Sequence, residues 1–171
     1  MVEGGITFLA RRNGWACDTV VGFEVVLASG QVVHATANSY RDLWLALKGG
    51  SNNFGIVTHF NLTTYPQGPM LGGVVGFNYT PSVLDAQAKA FNGFMKPENF
   101  DEKAMMGILL TYVNGVSGVA NSLFHLDPNP SPAVFKPFLS IPGQVSNQLL
   151  VTDLGDIVNQ FGHFTPPQLA R

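Results

Sequence analysis

The chain is poor in charge. Asp, Glu, Lys and Arg make up 12% of its 171 residues, and nine basic against eleven acidic side chains leave a formal charge of −2. Such a balance gives no broad attraction to nucleic acid or to an anionic membrane, so a charged ligand has to be held by local geometry. The single cysteine, Cys17, excludes an internal disulfide and any cysteine cluster. No two histidines have metal-ligand spacing, and no metal site is expected. No apolar run is long enough to span a bilayer. Met1-Val2-Glu3-Gly4-Gly5 has neither the basic nor the apolar region of a secretory leader. What the chain does have is apolar bulk and turns. Hydrophobic residues make up 46%, with 19 glycines and 11 prolines, which is the balance of a core-rich protein built from many short elements.

One stretch organises the first half: Gly49-Gly50-Ser51-Asn52-Asn53-Phe54-Gly55-Ile56-Val57-Thr58. It reads as the end of a helix, a loop with little side-chain bulk, and the start of a strand. Two readings stand beside each other. One is a helix C-cap followed by a plain loop. The other is a backbone cradle, in which glycines bring a polar ligand close to bare amides.

Upstream, Val20 to Leu27 reads as a strand with Val21, Phe23, Val25 and Leu27 on one face. Ser29-Gly30 turns it into a partner strand, Gln31 to Thr36. Ser39-Tyr40-Arg41-Asp42 looks like a capping box for a short helix whose apolar face is Leu43, Trp44 and Leu47. Ile56 to Tyr65 is the next strand, ended by Pro66. Val21, Phe23, Val25, Ile56 and Phe60 are expected to be buried. The loop runs from helix to strand, opposite to a Rossmann turn or a P-loop, and neither fingerprint is present.

Beyond Gln67-Gly68-Pro69 the character changes. Gly72 to Thr80 reads as a strand, and Thr80-Pro81 opens a helix with its buried face at Leu84, Ala88, Phe91 and Met95. Ala104 to Val113 and Val116 to Leu126 form a hairpin about Asn114-Gly115, with Met106, Ile108, Leu110 and Tyr112 on one face. A short helix at 132–139 and an amphipathic helix carrying Leu154, Ile157, Val158 and Phe161 follow. The whole is α+β, and its second half suits an antiparallel sheet with helices on one side.

Five blocks carry a resemblance: Gly4-Gly5-Ile6-Thr7-Phe8-Leu9, Gly14-Trp15-Ala16-Cys17-Asp18-Thr19-Val20, Phe23 to Gly30, Asp42 to Gly50, and Asn53 to Thr58. In this order and spacing they resemble the FAD-linked oxidoreductases of the berberine bridge enzyme-like group, within the vanillyl alcohol oxidase superfamily. The resemblance implies that residues 1–67 are the C-terminal part of a PCMH-type FAD-binding domain. It implies that 68–171 are the first, incomplete part of a substrate-binding domain. It implies FAD as cofactor, a small-molecule substrate (an alcohol, sugar or secondary metabolite), and Gly4, Gly5, Ile6, Thr7, Asn52, Gly55, Ile56 and Val57 as cofactor-binding residues. Members of the group are often secreted.

The departures are specific. Glu3 stands where the family pattern carries a third glycine, and a carboxylate there would face the cofactor's negative end. Thr19 stands where asparagine is common. The family's first FAD subdomain, with its pyrophosphate loop and flavin-attaching His and Cys, is expected to be missing, and with it the ability to hold FAD tightly. That subdomain is the implied partner; without it the chain is expected to be an inactive piece or a non-catalytic remnant. Catalytic residues are not identified. Tyr112 and His125 lie on the strands that face the flavin in the family, but a half-buried aromatic and a strand-edge histidine is the favoured reading. Cys17 reads as a buried thiol, Asp18 as a turn carboxylate, and Trp15 and Trp44 as packing anchors, with Trp15 also placed to cover a cofactor edge.

Overall fold

The computed structural model describes residues 2–113 and 115–162. The chain divides into two compact units, Met1–Pro66 and Gln67–Arg171.

The first unit is a three-stranded antiparallel sheet in the order β2-β1-β3, built from β1 (Val20–Val26), β2 (Val32–Thr36) and β3 (Ile56–Leu62). A one-turn helix α1 (Ala10–Asn13) precedes it, and α2 (Arg41–Leu47) connects β2 to β3. Leu47 is fully buried, and Leu43 and Trp44 pack with it against Val20, Phe23, Val25, Val33 and Ala35. The Trp44 indole N–H donates to the Val20 carbonyl at 3.1 Å, which fixes the helix over the sheet.

Several expectations fail here for identifiable reasons. The β1–β3 register breaks between Val20 and Gly22, and this irregularity puts Val20 in the core and leaves Val21 half in solvent. A second register shift, between Glu24 and Val25, turns Val57 to the core and leaves Ile56 70% exposed, while Phe60 on this edge strand reaches only the rim of the core, edge-on to Phe23 at 5.6 Å. The capping box at Ser39 does not form. Tyr40 is the N-cap in a left-handed conformation (φ 49°) without a side-chain cap bond, and Asp42 Oδ1 accepts from the Leu43 amide instead. Trp15 is no packing anchor, being 56% exposed.

The second unit is a five-stranded antiparallel sheet. Its strands are β4 (Met70–Asn78), β5 (Ala104–Val113), β6 (Val116–His125), β7 (Gln144–Asn147) and β8 (Leu150–Thr152). β5, β6, β4 and β7 lie side by side, and β8 also pairs with β4. Helix α3 (Pro81–Phe94) starts as the sequence implies, with the Thr80 hydroxyl accepting from the Val83 amide at 3.2 Å. A short 3₁₀ turn leads into α4 (Lys136–Leu139). α3 and α4 bring Val83, Ala90, Phe94, Phe135 and Phe138 onto Leu71, Val75, Phe77, Val119 and Leu123. The expected helical cover on one side holds for these two helices. Helix α5 (Leu154–Gly162) sets Ile157 on the other face, where a Cβ at Gly72 would meet Ile157 Cδ1 at 2.7 Å.

The buried face of α3 is Val83, Gln87, Ala90 and Phe94, one residue out of phase with the expected stripe; Phe91 and Met95 face solvent. The sequence pattern does not mark β7 or β8; Gln144–Asn147 is exposed throughout, with Val145 its one apolar residue, and shows no buried alternation. The β5–β6 hairpin pairs Val113 with Val116 as expected, while Asn114 and His163 lie outside the described residues.

Candidate functional site

The eight residues implied as cofactor-binding fall into two loops of the first unit. Gly4 and Gly5 both have left-handed backbones, φ 91° and 95°. Their carbonyls accept from Cys17 (3.1 Å) and Ala16 (2.8 Å), while the Thr7 hydroxyl accepts from the Leu9 amide. Asp18 Oδ2 accepts from the Trp15 amide at 2.8 Å and holds the neighbouring turn, which is the structural role its position implied. So the loop turns its carbonyls and its side-chain acceptor inward. Among the described residues, the amides of Gly4, Gly5, Ile6 and Thr7 donate to nothing.

The second loop repeats the pattern. Residues 51–54 form a turn, and the amides of Asn52, Asn53, Phe54 and Gly55 make no short, well-aligned hydrogen bond among the described residues. The Asn53 side-chain amide donates to the Gly50 carbonyl at 2.7 Å and ties the turn to itself. Gly55 has φ 143°, and a Cβ there would lie 2.7 Å from the Val26 carbonyl oxygen and 2.8 Å from Val25 Cγ1, so the loop reaches the end of β1 only as glycine. Ser51 takes a left-handed backbone without being glycine, φ 57°.

The two loops are joined at one residue. The Gly49 and Ser51 amides both donate to the Val2 carbonyl, at 3.1 and 2.8 Å. Glu3 Oε1 lies 3.4 Å from Ser51 Oγ. Val2, Ser51, Asn52, Gly55, Ile56 and Val57 are among the residues lining an open cleft of about 630 Å³, which Phe54 and Phe60 complete. The structure therefore brings Asn52, Gly55, Ile56 and Val57 together around one hollow. It places Gly4, Gly5, Ile6 and Thr7 on the adjoining loop, outside the lining. Buried, unpaired amides are costly, and runs of free amides in exposed glycine turns are the usual backbone receptor for anions. The arrangement suits a diphosphate flanked by planar groups, which is the chemistry of a flavin dinucleotide.

Tyr112 and His125 do not form a site. They stand at opposite ends of the β5–β6 hairpin, Tyr112 opposite Ser117 and His125 opposite Ala104. Tyr112 is 75% exposed, and His125 is buried. His125 Nδ1 accepts from the Asp127 amide at 3.2 Å, which puts its proton on Nε2, facing Asp101 Oδ2 at 3.2 Å. That histidine fixes the strand end. Among the described residues no group of His, Cys, Asp and Glu is arranged to hold a metal. A larger cleft of about 730 Å³ lies in the second unit between α3 and α4, but Ala90, Phe94, Pro137 and Ile141 give it an apolar floor without an amide run.

No family model matches the chain. It is 36% identical over 171 residues to an FAD-dependent monooxygenase, drtC, of Aspergillus calidoustus, covering 94% of this chain and 32% of that protein. Its fold is that of 6-hydroxy-D-nicotine oxidase from Arthrobacter nicotinovorans (TM-score 0.78, 20% identity, 98% of this chain and 37% of that one). It is also that of the berberine bridge enzyme-like protein 1 of Physcomitrella patens (TM-score 0.73, 24% identity, 97% of this chain and 36% of that one). The chain spans about a third of the length of the drtC monooxygenase and of the FAD-dependent monooxygenase tpcD of Cochliobolus heterostrophus. In sequence the chain is similar to FAD-dependent monooxygenases, and its fold is that of VAO-type and berberine bridge enzyme-like flavoproteins.

Proposed function

We propose that this chain supplies one wall of an FAD site and the first strands of a substrate-binding sheet, for the oxidation of an alcohol, sugar or secondary-metabolite substrate. The observation that carries the reading is the pair of loops at 4–7 and 52–55, whose amides make no short, well-aligned bonds among the described residues and which are tied together through the Val2 carbonyl. Those amides would hold the diphosphate, and the hollow lined by Asn52, Ile56 and Val57 would take the adenosine end. When bound, the flavin supplies the redox chemistry, and the chain binds and orients it.

One wall holds the cofactor weakly. Each charge-assisted hydrogen bond that an opposite wall would add is worth roughly 1.5–3 kcal/mol, and several are needed for tight binding. The partly exposed Phe60 and Leu62 on β3 give an apolar strip for that opposite wall. In this reading the opposite wall of the site is the first FAD subdomain of the family.

The test is an FAD titration of the full chain followed by amide NMR. A dissociation constant on the order of a millimolar is expected, with shifts concentrated at Gly4–Thr7 and Asn52–Gly55. Addition of a first FAD subdomain in trans is expected to tighten binding by orders of magnitude. Flavin co-purifying with the isolated chain at one per chain would overturn the one-wall reading. Shifts confined to the α3–α4 cleft would overturn the site.

A further inference from the structure

We infer that Glu3 determines the charge preference of the amide cradle, acting as a built-in anion that weakens the binding of any diphosphate ligand. The inference rests on the cradle reading above and adds to it a residue that opposes the ligand. Glu3 sits between Val2, whose carbonyl fixes the second loop, and Gly4, where the first amide run begins. Its position is therefore set by the backbone on both sides. Its carboxylate points to the second loop, with Oε1 3.4 Å from Ser51 Oγ, and Ser51 lines the cleft. One carboxylate thus stands beside the second loop, on the residue that precedes the first amide run.

None of the side chains lining the cleft is charged, so nothing in its wall offsets that negative charge. A diphosphate seated on the amides would share them with a like charge, in a place exposed enough for salt to screen the repulsion. A neutral ligand of the same shape would feel none of this. The carboxylate also offers the Ser51 hydroxyl an acceptor, so the empty cradle keeps its loops together without a ligand. The cradle discriminates between ligands by charge, and Glu3 sets where that discrimination lies.

The experiment compares the full-length chain with its Glu3→Gln and Glu3→Asp variants, with FAD, ADP and riboflavin as probes, read by amide NMR at low and high salt. Glu3→Gln is expected to bind FAD and ADP about five- to tenfold more tightly at low salt, with the gain shrinking toward none at high salt. Riboflavin binding is expected to be unchanged, and Glu3→Asp is expected to behave as the parent. Equal affinity of the parent and Glu3→Gln for ADP, or an equal gain for riboflavin, would overturn the role of Glu3 while leaving the cradle intact. If no probe moves the Gly4–Thr7 and Asn52–Gly55 amides in any variant, the cradle itself is overturned and Glu3 with it.

Discussion

In the second unit three large aromatic side chains face one another in the core, while Tyr79, Phe91, Phe100 and Tyr112 are 40–75% exposed. Phe135 and Phe138 are fully buried; Phe94 stacks on Phe135 at 6.5 Å between centroids and meets Phe138 edge-on at 6.1 Å. In the first unit Phe60, Phe54 and Trp15 are 40–56% exposed, and only Phe23 is enclosed. The contrast extends to the backbone. Amides of the second sheet are taken up by five strands, whereas two loops of the first unit leave theirs unused. Loops with unused amides beside an edge strand with exposed apolar side chains are suited to being covered, and the proposed site lies there.

Core substitution breaks the comparison most directly. Phe135→Ala removes a fully buried ring that touches Phe94 and lies edge-on to His125 at 6.3 Å. A loss of about 3–5 kcal/mol is expected, read by amide exchange in β6. Phe60→Ala, at the rim of the first unit, is expected to cost about 1 kcal/mol, read in β1. Equal losses at the two positions would mean that the first unit is as closed as the second.

The glycines give the next test. Gly55→Ala forces a Cβ against the Val26 carbonyl at a φ of 143°, and is expected to cost roughly 1–3 kcal/mol and to displace the Asn52–Gly55 loop. Gly93→Ala lies within α3, with nothing within 4 Å of the added carbon, and is expected to stabilise by about 0.5–1 kcal/mol. Thermal denaturation with separate probes for the two units decides both. A neutral Gly55→Ala would show that the loop does not depend on its approach to β1.

How much of this was legible beforehand follows from the kind of signal involved. Turn and cap chemistry is local, so the Thr80 N-cap, the Ser29-Gly30 turn and the glycine loop at 49–55 were readable from the chain. Faces depend on register, which is not local. The irregularity at Val20–Gly22 reverses the pattern that strict alternation gives for Val21. Helix α3 carries two adjacent stripes, 83/87/90/94 and 84/88/91/95, and apolarity alone favours the second because the first contains Gln87. The first stripe nevertheless faces the sheet, and Gln87 is accommodated there by Asn121 of β6, whose side-chain amide donates to Gln87 Oε1 at 3.0 Å inside the core. Of the site, the two loops could be read from their glycines. Their junction at Val2 could not, since a carbonyl shared by Gly49 and Ser51 leaves no mark on the sequence.

The smallest effect comes from the polar side of the first sheet. Glu24 lies in the middle strand with His34 and His59 as its register partners. The Thr58 hydroxyl and the His59 Nδ1–H both donate to its Oε1, at 2.5 and 2.7 Å, and His34 Nε2 lies 3.8 Å from Oε2. The bond from Thr58, followed by that from His59, holds the carboxyl below its ordinary value of 4.5. A carboxylate whose pKa is lower folded than unfolded stabilises the fold above the unfolded value, and that contribution fades as the pH falls through the folded one. The parent and Glu24→Gln are therefore expected to differ modestly in β1 amide exchange near neutral pH, where the exposed imidazoles keep the effect small. The two should converge well below pH 4.5. A difference that persists unchanged into acid would assign the contribution of Glu24 to packing, and would make the polar face of this sheet as insensitive to charge as the enclosed core of the second.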